Sequence, residues 1–261
     1  MALHYSVEDG VAVVQLDRPE VLNAFNDELG FAALEAVQKA AADGDVRCIV
    51  ITGAGRAFSA GEDLGALAAG YEAGAAPPLG NTLVNRYNPL IRAIREAPKP
   101  VVAAVNGVAA GAGASVALAC DFRIAVDTAK LSLAFVKVGL VPDSGGLWFL
   151  TKMVGAARAW ELGATDDALD ARRAHELGIV NQVVSADEFE DTWRSFAGKL
   201  ASGPTRAYAL IKQLVNTSTT ATLDDQLEAE VVAQTEAGAT DDHLEGVRAF
   251  LGKRSARFEG H

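Results

Sequence analysis

The chain has 261 residues, half of them hydrophobic, which is enough to form one large α/β domain with a packed core. Its formal net charge of −11, from 34 acidic and 23 basic residues, argues against a general nucleic-acid binder, because such a protein needs a basic face. No apolar run is long enough to span a membrane and residues 1–6 carry no signal-peptide pattern, so we expect a cytoplasmic protein without membrane contact.

Cysteine and histidine residues are few, and they do not form a metal-binding pattern. Cys48 and Cys120 lie inside apolar runs, which is typical of buried thiols. The four histidines are scattered, and none is at ligand spacing from another histidine or from a cysteine. We therefore expect no metal site.

Short β-branched runs alternate with amphipathic stretches along residues 1–203, which indicates βα units. The runs predict strands at 11–16, 48–52, 101–105, 122–126 and 179–184. Helical periodicity predicts helices at 27–42, 82–96, 114–119 and 186–201. Because the strands are apolar on both faces, we expect helices to cover both sides of the sheet.

Two segments differ from this alternation. Residues 66–81 are rich in glycine, alanine and proline and have few side chains that can pack, which predicts a mobile loop or frayed helix over a site. From residue 204 onward the pattern becomes helical throughout, with helices predicted at 204–215, 223–237 and 241–253. Such a tail must bury its apolar stripe on the main domain or on another subunit.

Two stretches share one pattern, in which an apolar strand leads into a small-residue turn and then a helix. They are CIVITGAGRAFSAGEDL and VVAAVNGVAAGAGASVALAC. Small residues at Gly61, Gly111, Ala112 and Gly113 let a ligand approach the backbone, and helix N-termini leave N–H groups unpaired. Two such donors from separate turns can converge on one oxygen, as in an oxyanion hole.

Each turn taken alone is also typical of a helix that packs tightly on a strand. Gly111 and Gly113 could begin a dinucleotide-binding G-x-G-x-x-G motif, but residue 116 is valine and the turn lies late in the chain. The pattern therefore favours an oxyanion hole over a nucleotide site.

Several motifs, in order and spacing, resemble the crotonase (enoyl-CoA hydratase/isomerase) superfamily over essentially the whole chain. They are LDRPEVLNAFND, GAGRAFSAGEDL, PKPVVAAVNGVAAGAGASVALACDFRIA, VGLVPDSGG, LGIVNQVV and EGVRAFLGKR. The resemblance implies an α/β fold: a crotonase-like spiral of ββα units over residues 1–203, with a helical C-terminal trimerisation region over 204–261. It also implies a homotrimer or dimer of trimers, an acyl-CoA thioester substrate, and no cofactor other than the coenzyme A of that substrate.

The resemblance further assigns roles to individual residues. The thioester oxygen would be bound by the backbone N–H groups of Glu62 and Ala112. The remaining contacts to substrate or coenzyme A would come from Ala24, Ala60, Gly61, Leu64, Gly111, Ser115, Phe135, Phe250 and Lys253. Of these, Ala24 and Ala60 would lie at the adenine, and Phe250 and Lys253 would reach coenzyme A across a subunit boundary.

The residues at the family's acid/base positions bear on the reaction. The hydratases use two glutamates, which match Ser115 and Phe135 here, and neither can act as a base at neutral pH. Asp143 is the acid that remains. From the residues alone it is typical of a helix N-cap in a Pro-Asp-Ser-Gly turn, whereas the resemblance favours a catalytic carboxylate.

A single carboxylate suits the removal of a proton from one carbon and its return to another. We therefore expect an acyl-CoA isomerase that converts epoxyphenylacetyl-CoA or shifts a Δ3,Δ2-enoyl-CoA double bond, similar to the isomerases of phenylacetate degradation. Two alternatives stay open: an enoyl-CoA hydratase with a non-standard acid and base, for which Glu62 is the nearby candidate, and a non-catalytic CoA-binding subunit. The aromatic residues Tyr87, Phe135, Trp148 and Phe149 either line a ring pocket or belong to the core.

Overall fold

The computed structural model describes residues 2–75, 77–165 and 167–261. In chain order the strands are β1 (Leu3–Glu8), β2 (Val11–Leu16), β3 (Cys48–Gly53), β4 (Ala57–Ser59), β5 (Val101–Val105), β6 (Val108–Ala110), β7 (Phe122–Val126), β8 (Lys130–Ser132), β9 (Leu169–Asp170) and β10 (Gln182–Val184). The helices are α1 (Asp27–Ala42), α2 (Leu64–Glu72), α3 (Leu79–Thr82), α4 (Asn88–Glu96), α5 (Ala112–Ala119), α6 (Gly146–Thr165), α7 (Ala171–Glu176), α8 (Ala186–Ala201), α9 (Thr205–Ser218), α10 (Leu223–Gly238) and α11 (Asp241–Leu251).

The strands form two sheets that alternate along the chain. The six-stranded sheet has the order β1-β2-β3-β5-β7-β10, and the four-stranded sheet has the order β4-β6-β8-β9. β1 pairs with β2, and β8 with β9, in antiparallel fashion, while the pairs between the other neighbours are parallel. Three times, a strand of the large sheet is followed by a short strand of the small sheet and then by a helix. This repeat is the predicted spiral of ββα units.

The large sheet is buried on both faces, as its apolar strands predict. On β3, Ile49 and Ile51 pack into one hydrophobic cluster, while Val50 faces a second cluster that contains Trp193 and Leu200 of α8. Alternate residues of a strand point to opposite faces of the sheet, so helices on one side cover the odd-numbered residues of β3 and helices on the other side cover the even-numbered ones. The first cluster lies on the side of the small sheet and contains Phe58 of β4, and this side carries the candidate site.

Some predicted elements differ from the structure. The strand predicted at 179–184 is a strand only over Gln182–Val184. Ile179 and Val180 belong to the buried turn before the strand, which explains their apolar side chains. In this turn the Val180 carbonyl lies 2.9 Å from Nδ1 of His175. The segment predicted as a loop or frayed helix at 66–81 contains the end of α2, which continues to Glu72, and the start of α3 at Leu79. Residue 76 of that segment lies outside the described residues.

The helical tail is attached to the main domain through α9. Nζ of Lys212, which is buried, donates to the carbonyl of Ile94 at 2.8 Å and lies 2.9 Å from Oδ2 of Asp121. On the later helices α10 and α11, by contrast, Leu223 and Phe250 are 73% and 83% exposed. No helix in the described parts of the chain has the length and apolar character needed to cross a bilayer.

The last residues run back along α11 and bind to it. The carboxylate of Asp242 accepts hydrogen bonds from the backbone N–H groups of Glu259 (2.7 Å) and Gly260 (2.9 Å). Glu245 in turn accepts a bond of 2.9 Å from the backbone N–H of Arg257. Two carboxylates of one helix thus hold the segment that follows it.

Candidate active site

A cavity of about 250 Å³ opens beside the two small-residue turns and brings most of the predicted site residues together. It is lined by Ala60, Glu62, Leu64, Leu79, Thr82, Leu83, Tyr87, Gly111, Ala112, Leu133, Ala134, Phe135, Val138, Leu140, Val141 and Asp143. The lining is largely apolar, with a few polar side chains among it, which is typical of a small-molecule site. Asp143 and both predicted oxyanion donors border the same space.

The first turn is held by pairing with the segment before α1. The backbone N–H of Phe25 donates to the carbonyl of Gly61 at 2.6 Å, and the N–H of Asp63 donates to the carbonyl of Phe25 at 2.9 Å. Phe25 and Glu62 therefore form a parallel bridge. In such a bridge the N–H of the central residue points away from its partner strand. The N–H of Glu62 is thus directed away from Phe25.

The second turn ends where α5 begins. Gly111 precedes the helix with a φ of +53°, and its carbonyl accepts a bond of 3.1 Å from the N–H of Ser115. Ala112 is the first residue of α5, so its N–H has no acceptor within the helix. The partial positive charge of a helix N-terminus favours an oxygen that becomes negative at this position.

The two turns pack backbone against backbone. Gly61 has a φ of +92°, and a Cβ placed on it would lie 2.8 Å from the carbonyl oxygen of Ala110 and 3.2 Å from the backbone nitrogen of Ala112. Only glycine allows this approach, because its backbone conformation and the space next to it both exclude a side chain. The approach brings the N–H groups of Glu62 and Ala112 to one wall of the cavity.

Asp143 lies in a turn that two serines hold in place. Ser115, which is fully buried, donates from Oγ to the backbone carbonyl of Asp143 at 3.0 Å. Ser144, with a φ of +51°, donates from Oγ to Oδ1 of Asp143 at 2.8 Å. Among the described residues this is the only hydrogen bond to the Asp143 carboxylate, so the side chain caps no helix there.

The surroundings of Asp143 strengthen it as a proton acceptor. Burial raises the pKa of the Asp143 carboxyl, and the negative charge of Glu62 raises it further. The hydrogen bond from Ser144 and the positive charge of Arg86 act against this rise in pKa. Burial is the largest of these effects, so Asp143 binds a proton more tightly than an exposed aspartate does.

A charged cluster surrounds the side chain of Glu62. The buried guanidinium of Arg86 forms ion pairs with Glu62 and, at 2.8 Å, with Oδ1 of Asp27 at the start of α1. The hydroxyl of Tyr87 donates to Glu62, and the Arg86 guanidinium lies 4.6 Å from the centre of the Tyr87 ring. Burial and the carboxylate of Glu62 raise the pKa of Tyr87, so the phenol stays protonated and remains a donor.

Arg86 has no role predicted from the sequence, although the sequence contains one signal for it. Gly30 lies inside α1, where glycine costs about 1 kcal/mol relative to alanine. A Cβ at Gly30 would lie 2.6 Å from Cγ of Arg86. The glycine thus leaves room for the arginine to pass over the helix.

The other predicted contacts divide into two groups. Leu64, Phe135 and Ala60 line the cavity. The N–H of Ala60 donates to the carbonyl of Leu22 at 2.9 Å, two residues before Ala24, and the adenine contacts of Ala24 and Ala60 stay a prediction. Ser115 lies behind the cavity wall and holds the Asp143 turn. Phe250 and Lys253 lie at the end of α11, outside the cavity lining. Their contact with coenzyme A across a subunit boundary stays a prediction.

The four aromatic candidates divide in the same way. Tyr87 and Phe135 line the cavity. Trp148 and Phe149 lie on α6 outside the lining and stack edge to face, with their ring centres 5.0 Å apart. Any ring-binding role therefore rests on the first two.

Comparisons with known proteins agree with this geometry. The chain matches the enoyl-CoA hydratase/isomerase family over residues 6–261. It is 47% identical over 254 residues to 1,2-epoxyphenylacetyl-CoA isomerase of Escherichia coli (strain K12), covering 97% of each chain. It is 37% identical to trans-2-decenoyl-acyl-carrier-protein isomerase of Streptococcus mutans (98% of this chain and 97% of the relative), and 35% identical to crotonyl-CoA hydratase of Syntrophomonas wolfei (96% and 95%).

Solved structures give the same result. A crystal structure of an enoyl-CoA hydratase from Polaromonas sp. JS666 superposes with a TM-score of 0.92 at 37% identity, covering 99% of this chain and 100% of the other. The enoyl-CoA hydratase from Bacillus anthracis superposes with a TM-score of 0.93 at 30% identity and full coverage of both chains. The chain is thus similar to relatives named as isomerases and to relatives named as hydratases. The chain belongs to the enoyl-CoA hydratase/isomerase, or crotonase, family.

Proposed function

We propose that the protein is an acyl-CoA isomerase in which Asp143 moves a proton between two carbons of the acyl group. The N–H groups of Glu62 and Ala112 bind the thioester oxygen. The observation that carries the proposal is the difference between the two carboxylates that line the cavity: Glu62 is held in an ion pair, whereas Asp143 accepts one hydrogen bond from a neutral serine. One carboxylate is thus available to transfer a proton.

The proposed step balances without a further reactant. A carboxylate oxygen of Asp143 takes a proton from Cα or Cγ of the substrate, and the electron pair of that C–H bond moves into the thioester carbonyl. The resulting enolate oxygen accepts hydrogen bonds from the two backbone N–H groups. Asp143 then returns the proton to a different carbon, which moves the double bond and restores the carboxylate. A raised pKa of Asp143 makes it a stronger base for the first step.

A hydratase is the less favoured alternative because hydration needs one group to activate water and another to protonate carbon. The two matching positions are occupied by Ser115, which bonds to the Asp143 carbonyl, and by the apolar Phe135. Glu62 is the remaining candidate. Its carboxylate is occupied by an ion pair with Arg86 and a hydrogen bond from Tyr87, so it is not free to bind and activate a water.

We propose epoxyphenylacetyl-CoA as the first acyl group to test, with Δ3-enoyl-CoA thioesters next. The relative at 47% identity is named for the first of these substrates. Tyr87 and Phe135 supply aromatic surface to the cavity, and the leucines and valines around them can hold either a ring or an alkyl chain.

The test is NMR of the protein with 3-hexenoyl-CoA, and separately with crotonyl-CoA, in deuterated water. We expect double-bond migration with deuterium entering the chain, and a loss of about 10²–10⁴-fold in that rate in Asp143→Asn. The exposed Asp191→Asn on α8 is the matched control and should keep the parental rate.

Three outcomes would contradict the proposal. Unchanged exchange in Asp143→Asn would remove Asp143 from the reaction. Rapid formation of 3-hydroxybutyryl-CoA from crotonyl-CoA would instead favour a hydratase. Binding of these thioesters and of epoxyphenylacetyl-CoA without any exchange would favour a non-catalytic CoA-binding subunit.

A further inference from the structure

The side chain of Glu62 has a structural setting that its backbone role does not require. An oxyanion donor needs only its N–H, yet the Glu62 carboxylate lines the same cavity as Asp143 and receives bonds from both Arg86 and Tyr87. Those partners come from the helical turn before α4, far from residue 62 in sequence. The carboxylate is therefore fixed in position relative to Asp143.

We propose that Glu62 is a positioning residue: its carboxylate, which Arg86 and Tyr87 hold on the cavity wall that Asp143 also lines, sets the proton affinity of Asp143, and the positive charge of Arg86 acts in the opposite direction. The inference rests on the proposed function, because it assigns Asp143 the proton transfer. It gives the side chain at position 62 a role separate from that of its backbone N–H.

The charges that face Asp143 support this assignment. Among the described residues, Glu62 and Arg86 are charged groups that act on Asp143, Tyr87 is a neutral phenol in the same cavity lining, and Ser144 is a neutral donor. A second anion in a partly buried cavity makes ionisation of the first more costly, and a cation makes it easier. Burial comes first among the causes that raise the pKa of Asp143, Glu62 adds to the rise, and Arg86 opposes it.

The setting of Arg86 is unfavourable for a purely structural ion pair. Its Nε is buried and has no hydrogen-bond partner among the described residues. An unpaired buried donor lowers stability, and well-packed apolar residues often replace buried ion pairs without loss of stability. The arginine also requires a glycine at position 30, inside a helix. The unpaired Nε and the glycine inside α1 both lower stability, yet they accompany the charge of Arg86 next to the cavity.

Tyr87 completes the clamp on the Glu62 carboxylate. Its raised pKa means that the phenol carries its proton throughout the working pH range and donates it in a hydrogen bond to Glu62. The Glu62 carboxylate thus receives donors from both Arg86 and Tyr87, which fix its place on the cavity wall.

The experiment follows the titration of Asp143 directly. Protein labelled with carbon-13 at the aspartate side-chain carboxyl is titrated by NMR, and the Asp143 signal is assigned by its absence in Asp143→Asn. In Glu62→Gln we expect the Asp143 titration midpoint and the acid limb of kcat/KM to move to lower pH. The plateau rate should fall about tenfold because a weaker base transfers protons more slowly.

Arg86→Met provides the opposite change, since removal of the cation should move the same midpoint to higher pH. Gly30→Ala is a second variant that tests Arg86. Its added methyl group displaces the Arg86 side chain from the α1 side and leaves every residue of the cavity lining unchanged. An unshifted Asp143 titration midpoint in Glu62→Gln would overturn the inference. Midpoints that move in the same direction in Glu62→Gln and Arg86→Met would also overturn it.

The two proposals fail in different ways. A purely structural role of Glu62 would change the melting temperature and KM of Glu62→Gln but leave the titration of Asp143 unmoved. Retained deuterium exchange in Asp143→Asn would refute the isomerase mechanism, while the NMR titration would still report whether Glu62 sets the proton affinity of Asp143.

Discussion

Gly61→Ala tests whether the two turns cooperate in binding the thioester oxygen. The new Cβ would lie 2.8 Å from the Ala110 carbonyl oxygen and 3.2 Å from the Ala112 nitrogen, so the turns must separate. The backbone of Gly61, at a φ of +92°, adds a strain of about 1–2 kcal/mol for any residue with a side chain. If one oxyanion donor is lost as a result, the rate should fall by about 10²–10³-fold.

The assay is the rate of deuterium exchange into an acyl-CoA, measured with the melting temperature of the same preparation. Gly178→Ala is the matched control, because Gly178 has a φ of +75° and open space around its Cβ position. Both variants carry the backbone strain, but only Gly61→Ala pushes the turns apart. An exchange rate in Gly61→Ala within about twofold of Gly178→Ala, at equal folded fraction, would refute the two-turn oxyanion hole.

Two further predictions concern protonation. Ser144→Ala removes the hydrogen bond that lowers the pKa of Asp143, so the acid limb of the kcat/KM profile should move to higher pH; an unmoved limb would contradict this. The side chain of Arg254 and the backbone N–H of Arg257 lower the pKa of Glu245 from 4.5 to about 2. The hydrogen bond from the Arg257 N–H to Glu245 should therefore persist above pH 4.5 and weaken as the pH falls towards 2. The measurement is the hydrogen-exchange rate of the Arg257 amide, which should rise above the rate expected for a free amide at the same acidic pH. Glu245→Gln should show no such pH-dependent loss.

The elements that sequence predicted well carry a strong local signal. α1 has the predicted bounds because Asn26 caps it, with its side chain accepting from the N–H of Leu29, and because apolar residues recur on its inner face. β2, β5 and β7 also match, since strands buried on both faces are continuous apolar runs.

Several of the elements that were missed lack such a signal. The three-residue strands β4, β6 and β8 are too short to show a period of two. In α6, Gly155 has non-helical angles (φ 77°, ψ 164°) and divides the helical pattern. Periodicity therefore did not locate the strands of the small sheet, and only the resemblance implied the ββα units.

The candidate site shows the same division. The glycines and small residues of the two turns are local features, so the pairing of the donors at Glu62 and Ala112 followed from pattern and resemblance. The cluster of Asp27, Glu62 and Arg86 joins residues that are distant in sequence, and no spacing rule links them. Only the tertiary structure shows that the Glu62 side chain forms an ion pair, whereas the Asp143 side chain has a hydrogen bond but no ion pair with the described residues.

The residue at position 30 can indicate, from sequence alone, whether a relative of this chain has an arginine behind the cavity. The missing methyl group of Gly30 makes room for the methylene groups of Arg86, so alanine at position 30 and arginine at position 86 should be mutually exclusive in this arrangement. We expect the two positions to vary together, with glycine at 30 accompanying arginine at 86 and a larger residue at 30 accompanying an uncharged residue at 86. The pair would then divide family members into those with a charged wall behind the cavity and those with an apolar one.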